Sequence, residues 1–204
     1  MSHYQYHIYY PEAYGSDPTR KWPLLLFLHG AGEKGNDLKK VEKEGLPKLL
    51  KNRRDFPFVV AWPQCPVREY WSVPFLNEWL TEVQEQVKLA DSSRVYLTGL
   101  SMGAFGTWQW AAVHPQKFAA IIPICGGGNP GWASQLKFLP IWAFHGDLDD
   151  IVPVENTLEM VDALEAVGGN IKLTRYPTLK HDSWTETYNN PGIYDWLLQH
   201  KMES

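Results

Sequence analysis

A pentapeptide of the form G-x-S-x-G, Gly99-Leu100-Ser101-Met102-Gly103, is the part of this sequence with the clearest chemical meaning. It follows the apolar run VYLT, which is typical of a strand, and precedes a helical stretch that begins near Met102. A tight strand-to-helix turn holds a serine on a strained backbone, and glycines two residues to either side avoid clashes where chain segments cross. The pattern predicts that Ser101 is a nucleophile and that the helix N-terminus faces the oxyanion it creates. A structural turn with an idle serine is the alternative.

A serine hydroxyl is unreactive at neutral pH, so it needs a base and a third group that fixes the tautomer of the base. In the fold that carries this kind of turn, the three catalytic residues follow one another along the chain in the order serine, acid, histidine. The histidines that come too early in the chain are His3, His7, His29, His114 and His145. His181, in the loop TLKHDSW, and His200, on the predicted terminal helix, remain. We predict His181 as the base, because a lone histidine near the end of a terminal helix is usually solvent-facing.

The acid should come from the loop that follows the apolar run PIWAFHG. That loop, HGDLDDIVP, offers Asp147, Asp149 and Asp150. All three lie near the predicted strand end, and one of them is expected to cap the helix that follows Pro153, as aspartate commonly does. The residues alone therefore leave the choice among the three open.

Short apolar runs alternate with helical stretches along the chain, and these elements must position the candidate residues. The predicted strands are an alternating edge segment at 4–10 and apolar runs at 23–29, 56–62, 95–99, 118–125, 140–146 and 171–177. The predicted helices cover 38–51, 75–90, 102–114, 155–167 and about 191–200. This alternation predicts a three-layer α/β fold whose mostly parallel sheet of about seven strands is flanked by helices. Functional groups then gather beyond the carboxyl ends of the strands, and the connections are too short for a large cap domain.

Composition restricts the class of protein further. A length of 204 residues suits one α/β domain over 1–204, and 19 basic against 23 acidic residues with no basic block argue against nucleic acid as a partner. No apolar run approaches the ~18 residues of a membrane span, and the N-terminus lacks the pattern of a signal peptide, so we expect a cytoplasmic protein without a membrane partner, although a chain from which a leader had been removed would have the same sequence. Cys65 and Cys125 fit no metal-ligand spacing and are expected to be structural thiols, although their pairing stays open.

Six motifs resemble the α/β-hydrolase superfamily, within it the phospholipase/carboxylesterase and dienelactone-hydrolase-like esterases, close to those often labelled predicted peptidases. They are LFLHGAGEKGND at 26–37, VVAWPQCP at 59–66, LTGLSMGAFGTW at 97–108, PICGGG at 123–128, HGDLDDIVPV at 145–154 and HDSWTETY at 181–188. The resemblance implies that the acid is the aspartate of H-G-x-x-D-x-x-V-P, which is Asp149 in this sequence. It also implies an oxyanion hole made by the backbone N–H groups of Ala31 and Met102.

The same resemblance implies a carboxylesterase that uses no metal and no organic cofactor. Small, aromatic or carbohydrate-linked acyl esters are the expected substrates. Trp71, Trp132 and Trp184 lie near motif loops and are candidate walls of the substrate pocket, with plain packing as the alternative. A serine peptidase of the same fold and a non-catalytic binding protein are the alternative functions, and both a monomer and a homodimer are open.

Overall fold

A seven-stranded sheet forms the centre of the protein, which is described here by a computed structural model over residues 3–202. The strands are β1 (Gln5–Tyr9), β2 (Trp22–Leu28), β3 (Val59–Gln64), β4 (Ala90–Leu100), β5 (Ala120–Ile124), β6 (Ile141–Gly146) and β7 (Ile171–Tyr176). Their order across the sheet is β1-β3-β2-β4-β5-β6-β7. All neighbours are parallel except β1, which pairs antiparallel with β3 at one edge.

Helices cover both faces of the sheet. They are α1 (Gly45–Leu50), α2 (Val73–Gln86), α3 (Met102–Val113), α4 (Ala133–Leu136), α5 (Glu155–Ala166), α6 (Trp184–Asn189) and α7 (Gly192–Leu198). One core cluster joins the sheet to helices α2 to α5, and a second joins its other face to α1, α6 and α7. The predicted three-layer α/β-hydrolase fold is therefore confirmed. Within residues 3–202, the strand connections carry no cap domain.

The burial of each strand follows from its place in the sheet. All seven residues of β2 are buried, as are all residues of β3, β5 and β6, because helices lie against both of their faces. The edge strands β1 and β7 contain exposed positions among half-buried ones. Uninterrupted apolar runs therefore mark the inner parallel strands, as the sequence predicted.

The segment predicted as one helix over 38–51 is divided. Leu38–Lys43 forms a 3-10 helix and α1 begins at Gly45, because Glu44 between them has an extended backbone with φ −134° and ψ 161°. Gly45 has φ +60°, and a Cβ there would lie 2.7 Å from Leu100 Cδ2. Glycine is thus needed at the point where this connection presses against the strands, and a continuous helix is excluded.

Two further boundaries differ from the prediction. The helix expected over 75–90 is α2, which ends at Gln86, and β4 already begins at Ala90, earlier than the apolar run at 95–99 suggested. The first five residues of β4 are half-buried or exposed, so they carry no apolar signal. None of the helices within residues 3–202 has the length and apolar character that crossing a membrane requires.

Candidate active site

Ser101 lies on the turn between β4 and α3 with φ 52° and ψ −119°. A non-glycine residue at positive φ stores roughly 1–3 kcal/mol of strain, so the surrounding structure must hold it in place. The backbone N–H of Ser101 donates to Ile124 O at 2.9 Å. A Cβ on Gly103 would lie 2.0 Å from Leu28 O, and one on Gly99 would lie 2.4 Å from Gly103 O. The two glycines of the pentapeptide therefore permit two close backbone approaches that present the serine.

His181 follows β7, and its imidazole joins two other predicted residues. The Ser101 hydroxyl lies 2.9 Å from His181 Nε2, and His181 Nδ1 lies 2.7 Å from Asp149 Oδ2. The Asp149 carboxylate is fully buried, while the imidazole is 18% exposed. Because the buried carboxylate only accepts, Nδ1 carries the proton and Nε2 is free to accept from the serine hydroxyl. The structure thus brings Ser101, His181 and Asp149 into one hydrogen-bonded chain.

The other two aspartates of the loop have separate partners. Asp147 accepts from Arg175 Nε at 2.7 Å, and Asp150 accepts from Lys180 Nζ at 2.9 Å. The ion pair with Lys180 lowers the pKa of Asp150. The expectation that an aspartate of this loop caps the following helix was wrong, since Val154 is the N-cap residue of α5 and no side chain bonds to that end.

Four donors converge on the Asp149 carboxylate. Oδ1 accepts from the backbone N–H groups of Ile151 and Val152, both at 2.9 Å. Oδ2 faces His181 Nδ1 and also His145 Nε2, the latter at 3.2 Å. These contacts fix the orientation of the Asp149 carboxylate in the interior of the protein. His145 precedes the acid in the chain, which excludes it as the base, and its position in the sequence gives no sign that its ring contacts the acid.

His200 lies two residues after the end of α7, and its backbone carbonyl accepts from the Tyr96 hydroxyl at 2.8 Å. Its side chain is half-buried rather than solvent-facing, and burial lowers its pKa.

The loop after β2 passes beside the nucleophile. A Cβ on Gly30 would lie 3.5 Å from Ser101 Cβ, so the loop that leads into Ala31 passes close to the serine. His29 holds this loop: its Nδ1 lies 2.6 Å from Gly30 O, and its Nε2 accepts from the Cys65 N–H at 2.9 Å. Burial lowers the pKa of His29 to about 4, so it is neutral at neutral pH. His29 thereby anchors the backbone that leads into Ala31, and Met102 follows Ser101 as the first residue of α3.

A cleft of about 410 Å³ opens at the nucleophile. Its lining residues are Tyr70, Trp71, Ser101, Met102, Phe105, Gly106 and Gln109. Phe105 and Gln109 are four and eight residues after Ser101, so α3 presents them on the same side as the serine. This helical spacing was the available signal for these two residues, which the sequence prediction missed.

The three predicted pocket tryptophans have different surroundings. Trp71 lines the cleft and donates from its indole N–H to His29 O at 3.2 Å. Trp184 meets the His181 ring edge-on, with 5.3 Å between ring centroids, and its indole nitrogen lies 3.4 Å from Glu44 Oε2. Trp132 packs, partly buried, against the core on the α3 side and does not line the cleft.

Both cysteines are free and buried, as expected for structural thiols. Burial raises the pKa of Cys65 to about 11 and raises that of Cys125 further. The sulfur of Cys125 and ligand atoms of Asp149 and His181 lie within 4.8 Å of one another, which is a spacing that a metal ion can bridge. A neutral thiol is a weak metal ligand, and Asp149 and His181 already bond to each other.

A mostly parallel sheet of this order, with a serine on the turn after its central strand, defines the class of α/β-hydrolases. The chain belongs to the phospholipase/carboxylesterase family, whose model matches residues 75–190.

Individual relatives agree with this membership. The bifunctional acetylxylan esterase/xylanase XynS20E of Neocallimastix patriciarum is 29% identical over 160 residues, which cover 72% of this chain and 21% of that protein. The poly(3-hydroxyoctanoate) depolymerase of Pseudomonas fluorescens is 26% identical over 177 residues, covering 72% of this chain and 63% of that protein. The crystal structure of a thermostable esterase superposes with a TM-score of 0.80 at 33% identity over 96% of this chain and 59% of that one. The chain thus spans less than two thirds of each of these relatives.

Proposed function

We propose that this protein is a serine carboxylic-ester hydrolase that works through an acyl-enzyme. The observation that carries the proposal is the chain of two hydrogen bonds from Ser101 through His181 to the buried Asp149 carboxylate, at 2.9 and 2.7 Å. Each member stands beyond the carboxyl end of a different strand, β4, β7 or β6, where this fold concentrates its chemistry. Family membership supports the same reaction class.

The geometry gives each residue of this chain a role. Ser101 Oγ attacks the ester carbonyl while His181 Nε2 takes its proton, and Asp149 remains ionised and stabilises the imidazolium. The negative charge that develops on the carbonyl oxygen is bound by the backbone N–H groups of Ala31 and Met102; loss of one such donor costs about 3–4 kcal/mol of transition-state stabilisation in other serine hydrolases. His181 then protonates the departing alcohol. In the second half-reaction it deprotonates the water that releases the acid.

The cleft supports a preference for small acyl groups, aromatic ones included. Its volume of about 410 Å³ lies toward the lower end of small-molecule sites, and Tyr70, Trp71 and Phe105 give it aromatic walls. Gln109 supplies an exposed amide at its edge, which can exchange hydrogen bonds with a hydroxyl group of a substrate. The name of the Neocallimastix relative includes acetylxylan esterase activity, which agrees with esters carried on a carbohydrate.

The experiment is hydrolysis of p-nitrophenyl acetate and butyrate by the wild type, Ser101→Ala and the control Ser16→Ala. Ser16 is an exposed serine in the turn after β1 and lies outside the cleft. We expect Ser101→Ala to lose turnover and fluorophosphonate labelling, while Ser16→Ala retains both. Unchanged turnover in Ser101→Ala would refute the proposal.

A substrate panel then tests the preference. It contains feruloyl esters, acetylated sugars, long-chain p-nitrophenyl esters and a peptide p-nitroanilide. We expect feruloyl or acetyl esters to have the highest kcat/KM. Faster turnover of long-chain esters would overturn the preference for small acyl groups, and faster turnover of the anilide would establish a peptidase.

A further inference from the structure

A second histidine, His145, contacts the proposed catalytic acid from the interior of the protein. It is the penultimate residue of β6 and is completely buried. Its Nε2 lies 2.9 Å from Val152 O and 3.2 Å from Asp149 Oδ2, and its Nδ1 lies 2.7 Å from Thr157 Oγ1. Asp149 Oδ2 is therefore placed between two imidazoles, those of His181 and His145.

The partners of His145 determine where its protons must be. Val152 O and the Asp149 carboxylate only accept hydrogen bonds, so Nε2 carries a proton. The Thr157 hydroxyl has one proton, and it donates that proton to Gly126 O at 2.7 Å. Thr157 Oγ1 must then accept at its contact with Nδ1, so Nδ1 also carries a proton.

From this count of donors and acceptors we propose that His145 is a buried imidazolium and that it positions Asp149. The positioning role rests on the proposed function, in which Asp149 is the catalytic acid. A neutral ring protonated only at Nε2 would leave one of the two 2.7 Å contacts of Thr157 without a proton between its atoms. A neutral ring protonated only at Nδ1 would leave Nε2 without a proton although it faces Val152 O and the Asp149 carboxylate. The charge is tolerated because the equally buried Asp149 carboxylate lies 3.2 Å away, and an isolated buried charge would be strongly unfavourable.

Two cations on β7 and the following loop are already paired with other aspartates. Arg175, the β7 neighbour of His145 in the sheet, is bonded to Asp147, and Lys180 is bonded to Asp150. The neutral Cys125 thiol and the ring of His181 also lie close to Asp149, with ligand atoms within 4.8 Å of one another. Asp149 is thus the carboxylate available to balance a charge on His145. In turn His145 holds Oδ2 where His181 Nδ1 can reach it.

Thr157→Val tests how many protons the His145 ring carries, because valine has nearly the same shape as threonine but lacks the hydroxyl. It removes the hydroxyl that accepts from Nδ1, so we expect the His145 ring to lose its second proton. Thr157→Ser keeps the hydroxyl and is the matched control. Nuclear magnetic resonance of the full chain labelled with ¹⁵N-histidine reports both ring nitrogens directly, and His145→Gln assigns the signal.

At neutral pH we expect both nitrogens of His145 to be protonated in the wild type and in Thr157→Ser, and only one in Thr157→Val. If His145→Gln does not fold, through-bond correlations from the backbone assign the ring instead. A wild-type ring with one unprotonated nitrogen would overturn the proposal, whatever the result for esterase activity.

The positioning role has its own measurement. We expect kcat for p-nitrophenyl acetate to fall about ten- to a hundredfold in Thr157→Val, with KM unchanged, because small misplacements of catalytic groups have effects of this size. Thr157→Ser should restore most of kcat. Wild-type kcat in a Thr157→Val protein whose ring has lost its proton would refute the positioning role. Failure of the proposed function would be seen in a different experiment, as unchanged ester turnover in Ser101→Ala.

Discussion

Acidification should destabilise this protein through His29, the residue that holds the loop beside the nucleophile. His29 is 1% exposed, and burial lowers its pKa from the ordinary 6.5 to about 4. The positive charge of Lys34 adds to this effect, and the hydrogen bond to Gly30 O opposes it. Protonation would also place a proton on Nε2, which accepts from the Cys65 N–H. The folded state therefore favours the neutral form of the His29 ring over the protonated form.

The sign and size of the effect follow from linkage. Between pH 6.5 and about 4 the unfolded chain has protonated His29 and the folded chain does not, so the free energy of unfolding decreases as the pH falls through this range. At pH 5 the loss is about 2 kcal/mol, and it reaches about 3 kcal/mol near pH 4. Above pH 7 this contribution to stability is fully present.

The measurement is urea unfolding of the wild type and His29→Gln at several pH values, followed by tryptophan fluorescence. Glutamine does not titrate and keeps an acceptor and a donor. We expect the wild type to be more stable at pH 7 and the difference between the two proteins to shrink by about 2 kcal/mol at pH 5. A difference that stays constant with pH would show that His29 titrates alike in the folded and unfolded states, and would refute the reasoning.

Three further predictions have defined outcomes. Gly103→Ala places a methyl group 2.0 Å from Leu28 O, so urea unfolding should show that the free energy of unfolding falls by about 3 kcal/mol or more. In the control Gly32→Ala the added methyl group meets nothing within 4 Å, so the free energy of unfolding should hardly change. Tyr188→Phe removes the buried hydrogen bond to Thr98, and thermal unfolding should report a loss of about 1 kcal/mol. Phe105→Ala should lower kcat/KM about tenfold for a feruloyl ester but little for p-nitrophenyl acetate, since it removes an aromatic wall of the cleft; equal losses on both esters would contradict this role.

The layer arrangement and the central strands could be predicted because their signals are local. Buried parallel strands require uninterrupted apolar runs, and the turn at Ser101 requires small residues at fixed spacing. The short helix α6 was missed because its sequence, WTETYN, is mostly polar and its buried face consists of only two residues, Thr187 and Tyr188. Tertiary contacts rather than propensity decide such a segment.

The acid illustrates a limit of another kind. Asp147, Asp149 and Asp150 are equivalent in type and lie within four residues, so only the direction of each side chain separates them. That direction depends on Arg175 and Lys180, which come from β7 and the following loop and bond to Asp147 and Asp150. The resemblance to a known family singled out Asp149 where local physical reasoning could not.

The lining of the cleft combines two kinds of position. Trp71, Met102 and Gly106 are buried, whereas Tyr70, Phe105 and Gln109 are exposed. Substitutions at exposed positions usually change stability by less than about 0.5 kcal/mol. Evolution can therefore alter the shape of this cleft through its three exposed residues without disturbing the turn that carries Ser101. A combinatorial library restricted to these three codons is the natural starting point for redirecting the substrate range in the laboratory.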